Sequence, residues 1–329
     1  MIVLVCPGQG SQTPSFLSPW LELPGLRDQL AALSDAAEVD LVTHGTTSDE
    51  ETIKDTAVAQ PLLVGAGLLA LRALAGGSAE RGYSAAPTGI GALAGHSVGE
   101  VTAAAAAGVL SETDAMRFVA QRGRAMATAS AATPTGMSAV LGGDADEVLA
   151  TIERHDLTPA NVNGAGQVVA AGSLDALAAF AADPPARARV IPLKVAGAFH
   201  THFMQPAVGV LRDAWSDHDV SDPGVTLVSN RDGQVVSDGR EVLDRLVAQV
   251  SNPVRWDLCM ERFTDLGVTA VLELPPAGTL VGLAKRAMPG VATLAVKTPD
   301  DLEAAQQLVR DHGGDPAHAG SLPTDAQEA

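Results

Sequence analysis

Aromatic side chains are scarce here: six Phe, three Trp and one Tyr among 329 residues. A core of this size must therefore be built from Ala, Val, Leu and Ile. Cysteine is scarcer still. Cys6 and Cys259 sit in separate apolar contexts, which excludes a disulfide framework and leaves two buried free thiols as the expectation. Positive charge is also short, with 21 Lys and Arg against 39 Asp and Glu, a net charge of -18. That balance argues against nucleic acid and against an anionic membrane surface. Arg122, Arg124, Lys194, Lys285 and Arg286 are candidates for a local basic patch. The opening MIVLVCPGQG has no basic start and only a short apolar run, so it does not read as a secretory leader. No apolar run reads as long enough to cross a membrane. The expected location is the cytoplasm.

Several cofactor signatures are missing too. There is no HExxH or CxxC, and His200-Thr-His202 lacks a third ligand cluster, so no metal site is expected. PGQGSQ, residues 7–12, is followed by Thr13 where a dinucleotide fingerprint wants its third glycine. No phosphate-binding G-x-x-x-x-G-K-[ST] occurs.

What is present is an alternation of short β-rich runs and helical patterns. IVLVC (2–6) reads as a buried strand stopped by Pro7-Gly8. Residues 57–75 read as a buried helix with Pro61 near its start, residues 88–94 as a second buried strand, and GEVTAAAAAG (99–108) as a helix rich in Ala. From about 130 to 195 the order becomes β-α-β-β-α-β: MSAVLGG, DADEVLATIERHD, TPANVNG, QVVAAGS, LDALAAFAADP, RARVIPLKV. That is the pattern of a ferredoxin-like unit. Strands at 225–230 and 268–276 and helices at 242–250 and 279–288 then resume the first texture. The polar, aperiodic stretch from Gly313 to Ala329 reads as disordered. No solenoid repeat is visible.

AGHSVGE (94–100) places Ser97 between Gly95 and Gly99, where a strand turns into a helix. A nucleophile elbow needs that context, with glycines where side chains would collide. The Val98 amide could then face a developing oxyanion, and Gln9, in the Gly-flanked loop after the first strand, is a second candidate donor. A serine nucleophile needs a base. His312 and His318 lie in or beside the tail, His155 and His218 sit among charged residues and read as solvated, and His44 reads as part of a polar loop. His96 is adjacent to Ser97 and should point away. His200 and His202, in GAFHTHFM at the end of RARVIPLKV, remain; position alone favours neither. Arg122 and Arg124 in QRGRAM read as solvated surface on sequence alone, although a guanidinium can grip a carboxylate with two parallel hydrogen bonds.

PGQGSQ, GHSVGE, QRGRAM, NVNGAGQVV, GAFH and NPVRW occur in this order from about residue 1 to 310. The set resembles the malonyl-CoA:acyl carrier protein transacylases of bacterial fatty acid synthesis. The resemblance implies an α/β-hydrolase-like core with a parallel sheet, formed by residues 1–128 and 197–312, with a ferredoxin-like subdomain inserted at 129–196. It implies Ser97 as nucleophile, His200 as general base, and the Gln9 and Val98 amides as oxyanion hole. It implies Arg122 as the partner of the malonyl carboxylate. Phe199 matches the pattern for malonyl rather than methylmalonyl units, and the backbone carbonyl of Gln249 takes the place of a triad acid by orienting the histidine. His202 has no counterpart role. No cofactor is implied, since malonyl-CoA and the carrier's phosphopantetheine arm are substrates. The implied partner is acyl carrier protein, with Lys194, Lys285 and Arg286 as candidate docking cations, and a monomer is expected. A serine hydrolase would place its acid and histidine late in the chain, where this sequence has only the tail histidines.

Overall fold

The computed structural model describes residues 1–76 and 85–313. The tail expected to be disordered lies, from residue 314 on, outside them.

Strand β1 (Ile2–Cys6) is buried along its whole length. Its residues alternate between two cores: Ile2, Leu4 and Cys6 face one, Val3 and Val5 the other. A strand covered on both faces needs no polar side, which is why IVLVC is apolar throughout. Helices α1 (Leu26–Ala37), α2 (Leu41–Thr46), α3 (Glu50–Lys54) and α4 (Thr56–Leu74) follow. Asp40, Asp49 and Asp55 cap the last three through their side chains. Helix α2 carries His44, so that residue is helical rather than in a loop.

Helix α4 corrects an expectation. An 18-residue window of its 19 residues has a mean hydropathy of 1.7, and the helix is long and apolar enough to cross a membrane by length and composition. Yet 78% of that window is buried inside the protein: it is a central core helix, with Pro61 in its second turn. Gln60, a polar side chain inside its apolar run, is buried.

Strand β2 (Ile90–Gly95) pairs parallel with β1 and leads into α5 (Gly99–Ala106) and then α6 (Glu112–Ala132). Ser111 caps α6 by accepting from Asp114 N. The chain next builds a second sheet from β3 (Thr135–Gly142), α7 (Ala145–Arg154), β4 (Thr158–Gly164), β5 (Gln167–Ser173), α8 (Leu174–Ala182) and β6 (Ala188–Pro192). Helix α9 (Gln205–Trp215), β7 (Thr226–Val228), β8 (Val235–Val236), α10 (Gly239–Gln249), β9 (Val254–Arg255) and α11 (Trp256–Asp265) come next. The described chain closes with β10 (Ala270–Glu273), α12 (Thr279–Ala287), β11 (Ala292–Ala295) and α13 (Leu302–His312).

The first sheet has the order β11-β10-β1-β2-β7-β8, parallel except for the antiparallel pair β7–β8. The second has the order β6-β3-β5-β4-β9. Its first four strands pair antiparallel, and β9, from far along the chain, joins in parallel. Val140, Val148, Ile152, Val168, Leu177 and Phe180 form its separate apolar cluster with α7 and α8. Cys6 and Cys259 are buried free thiols.

Candidate active site

Strands β1, β2 and β7 lie side by side and run parallel, so their C-terminal ends share one edge. Residues just past those ends are Gln9, Ser97 and Asn230. Ligands bind at that edge in open parallel sheets.

The β2–α5 turn is tight. Ser97 has φ 53°, in the left-handed region, a conformation that costs about 1–3 kcal/mol and persists only where neighbours enforce it. A Cβ on Gly95 would stand 2.0 Å from the Gly99 carbonyl carbon, and one on Gly99 2.1 Å from the Cys6 carbonyl oxygen. No side chain fits either place, which accounts physically for G-x-S-x-G. Asn230 closes the turn: its Oδ1 accepts from Ser97 N at 2.7 Å, and its Nδ2 donates to the Gly95 carbonyl.

His200 Nε2 is 2.7 Å from Ser97 Oγ, and its Nδ1 is 2.9 Å from the Gln249 carbonyl. A carbonyl can only accept, so Nδ1 carries the proton and Nε2 is free to accept from the hydroxyl. His200 also has a left-handed φ, 62°, and its backbone N donates to Val250 O at 3.0 Å. Of the two histidines left open, His200 is the one whose ring meets Ser97. His202 is exposed on a short 3₁₀ turn, its ring against Phe203. Neither lies on the strand, which ends at Pro192. His96 turns away from the hydroxyl: its Nε2 meets Asn163 Oδ1 at 2.8 Å, with Trp256 beside the ring. His155 and His218 are half-buried beside Asp183 and Asp114 rather than solvated.

Burial, then the Arg122 cation, holds His200 down to about 3. It is therefore a neutral base at ordinary pH. The sign for stability follows. Between pH 6.5 and about 3 the unfolded chain binds a proton at this histidine that the folded chain does not. Stability then falls with falling pH by about 1.4 kcal/mol per unit through this group. Replacing His200 by Gln should flatten that limb in urea titrations at pH 6, 5 and 4; an unchanged slope would refute the assignment.

Arg122 is not a surface residue. It is 1% exposed on the inner face of α6, while Arg124 is half-exposed and 4.0 Å from Glu38. Between them Gly123 lets α6 approach α4, since a Cβ there would stand 2.9 Å from the Thr56 carbonyl oxygen. Arg122 Nη1 donates to Gln60 Oε1 at 2.6 Å and Nη2 to Gln249 Oε1 at 2.8 Å. Nη2 also lies 3.4 Å from Ser97 Oγ, and Nε has no partner. Burial lowers this guanidinium to about 10, so it stays charged at neutral pH with neutral amides as its direct partners.

Gln249 links these parts. Its carbonyl holds His200, its Oε1 holds Arg122, and its Nε2 donates to Ser97 O at 3.1 Å and to Glu100. Val98 is the N-cap of α5, and Gln9 sits in the loop beneath which His96 N donates to Cys6 O. Among the described residues neither backbone amide donates to another group. Phe199 is buried in the main apolar cluster. Lys194, Lys285 and Arg286 are exposed, the last two in the final turn of α12; buried Arg122 is no part of any surface patch. Gln60, Glu100 and Asn230 were not singled out in the sequence. The signal for the first two was a polar residue inside an apolar helical run. Among the described residues no three His, Cys, Asp or Glu side chains converge as a metal centre requires.

Residues 3–314 match the family model described as the acyl transferase domain, so fold and site together define an acyltransferase. The malonyl CoA-acyl carrier protein transacylase of Mycobacterium tuberculosis is 54% identical over 308 residues, 94% of this chain and all of that protein. A crystal structure of that organism's MCAT superposes with a TM-score of 0.87 at 53% identity, covering 93% of this chain and 99% of the other. A malonyl-transacylase in complex with its type II PKS acyl-carrier protein gives 0.83 at 29% identity, with coverage of 93% and 99%. The chain belongs to the malonyl CoA-acyl carrier protein transacylase family.

Proposed function

We propose that this protein transfers a malonyl group from malonyl-CoA to the phosphopantetheine thiol of an acyl carrier protein, through a malonyl ester on Ser97. The observation that carries the reading is one hydroxyl, Ser97 Oγ, set 2.7 Å from a neutral imidazole and 3.4 Å from a buried guanidinium. His200 Nε2 takes the Ser97 proton as Oγ attacks the thioester carbonyl. The oxyanion forms against the Gln9 and Val98 amides, a kind of donor worth about 3–4 kcal/mol in the transition state. The tetrahedral adduct collapses, the C–S bond breaks, and CoA leaves as the thiol with the proton from His200. The carrier's thiol then gives its proton to His200 and attacks the ester, and Ser97 leaves protonated.

Arg122 is the group that chooses the acyl chain. A buried cation held by two neutral amides, with Nε unpartnered, favours an anion, and malonyl carries its carboxylate two carbons from the ester carbonyl. Phe199 is the residue assigned to shaping the pocket for malonyl. This chemistry calls for no metal or redox group. The relatives' names support an acyl carrier protein as partner, in one case that of a type II PKS; the proposed role is the supply of extender units for fatty acid or polyketide synthesis. Lys194, Lys285 and Arg286 are its proposed contacts, on a monomeric, cytoplasmic enzyme with no nucleic acid or membrane partner.

We read the fold at finer grain as a hydrolase-like core, residues 1–128 and 197–312, with a ferredoxin-like insertion at 129–196. The strand-turn-helix around Ser97 and the antiparallel order β6-β3-β5-β4 support that reading.

The test is intact mass after incubation with malonyl-CoA, followed by peptide mapping. A malonyl adduct on the peptide holding Ser97 is expected, discharged quickly by holo carrier protein and slowly by water. No adduct, or one lost to water as fast as to the carrier, would sink the transferase reading in favour of a hydrolase.

A further inference from the structure

Half of helix α5 is alanine and all of it is buried, yet its second residue, Glu100, is a carboxylate only 4% exposed. Oε1 accepts from Asn230 N at 2.8 Å, and Oε2 accepts from Gln249 Nε2. Those two residues touch Ser97, His200 and Arg122. Asn230 fixes Ser97 N and Gly95 O. Gln249 fixes Ser97 O, Arg122 Nη2 and His200 Nδ1. A primary amide can face either way. Arg122 can only donate, and the Ser97 carbonyl and an ionised Glu100 can only accept, so the three together set Gln249 one way round, with Oε1 to Arg122 and Nε2 to Ser97 O and Glu100.

We propose that Glu100 is a positioning residue whose ionised carboxylate, acting through Gln249 and Asn230, keeps the Ser97 turn, His200 and Arg122 in reacting register. The part concerning Arg122 rests on its reading as the carboxylate clamp. Glu100 touches no substrate. Once it takes a proton, one of its oxygens becomes a donor and its capacity to accept from Asn230, Gln249 and the Ser229 side chain falls.

Burial pushes this carboxyl up to about 7. The charged or titratable groups facing it are Arg122 from α6, Arg245 from α10 and Cys259 from α11. Cys259 is held well above its ordinary range by burial, and Arg122 stays charged, so neither titrates near neutrality. His200, held near 3, is already a free base there. An acid limb in kcat/KM near neutral pH therefore belongs to Glu100.

The experiment is a pH profile of malonyl and acetyl transfer to holo carrier protein, pH 5.5–8.5, for the wild type, Glu100→Gln and Glu100→Asp, with Tm measured alongside. In the wild type kcat/KM should fall below a midpoint near 7. Glu100→Gln should lose that limb and transfer malonyl about 10²-fold more slowly at pH 8. A Glu100→Gln enzyme that keeps the wild-type limb, or works within twofold of it, overturns the proposal. Should Glu100→Gln not fold, Glu100→Asp decides. Its carboxylate, withdrawn by one methylene, reaches only one of the two donors. About tenfold slower transfer with the limb retained is expected, and wild-type activity overturns the proposal. Arg122→Ala separates the two readings: equal loss of malonyl and acetyl transfer there sinks the clamp and leaves the pH test standing.

Discussion

Replacing Ser97 by alanine should abolish acyl loading and slow transfer by about 10⁴-fold or more, the scale found when a serine nucleophile is removed from a hydrogen-bonded catalytic set. The loss should lie in kcat. Arg122 keeps its bonds to Gln60 and Gln249 in the variant, so malonyl-CoA should still bind. Folding should be little affected. The hydroxyl is bonded to His200 and lies near Arg122, while the turn itself is held by Asn230, Gln249 and the two glycines. Mass spectrometry and a transfer assay check this together. An adduct that persists at this peptide, or activity within tenfold of wild type, would show that the nucleophile lies elsewhere.

Arg122→Ala should change which acyl group is transferred more than whether transfer occurs. Losing one member of a buried charge pair costs about 3–5 kcal/mol, which is about 10²–10⁴-fold in malonyl kcat/KM. Acetyl transfer makes no use of the guanidinium and should change by less than about tenfold. Arg122→Lys should fall between. It keeps the charge but cannot hold Gln60 and Gln249 through Nη1 and Nη2 at once, as the planar fork does. Equal losses for both acyl groups would remove Arg122 from specificity.

The elbow was legible in the sequence because its requirements are local. A buried strand, two glycines and an alanine-rich helix within a few residues leave few alternatives, and the collisions at Gly95 and Gly99 are the reason. The antiparallel strands of the smaller sheet were legible for the same reason, as alternation and turn residues mark them. Arg122 was not. A helix pattern gives a face but not what covers it, and the cover here is α4, about sixty residues earlier, brought close by Gly123. Gln60 sat unremarked in an apolar run whose hydropathy spoke only of burial. Asn230 joined Ser97 across 133 residues, a distance no periodicity spans. Between His200 and His202 the residues alone offered no choice, because a left-handed φ at one of them decides which imidazole turns inward.

The group that holds His200 is a main-chain carbonyl, that of Gln249. Every amino acid supplies that oxygen. The histidine's support is therefore immune to the genetic code in a way that a side-chain acid is not: no single missense change can delete it, and only a shift of the chain can withdraw it. Selection at position 249 then acts on the side chain alone, through its bonds to Arg122, Ser97 and Glu100.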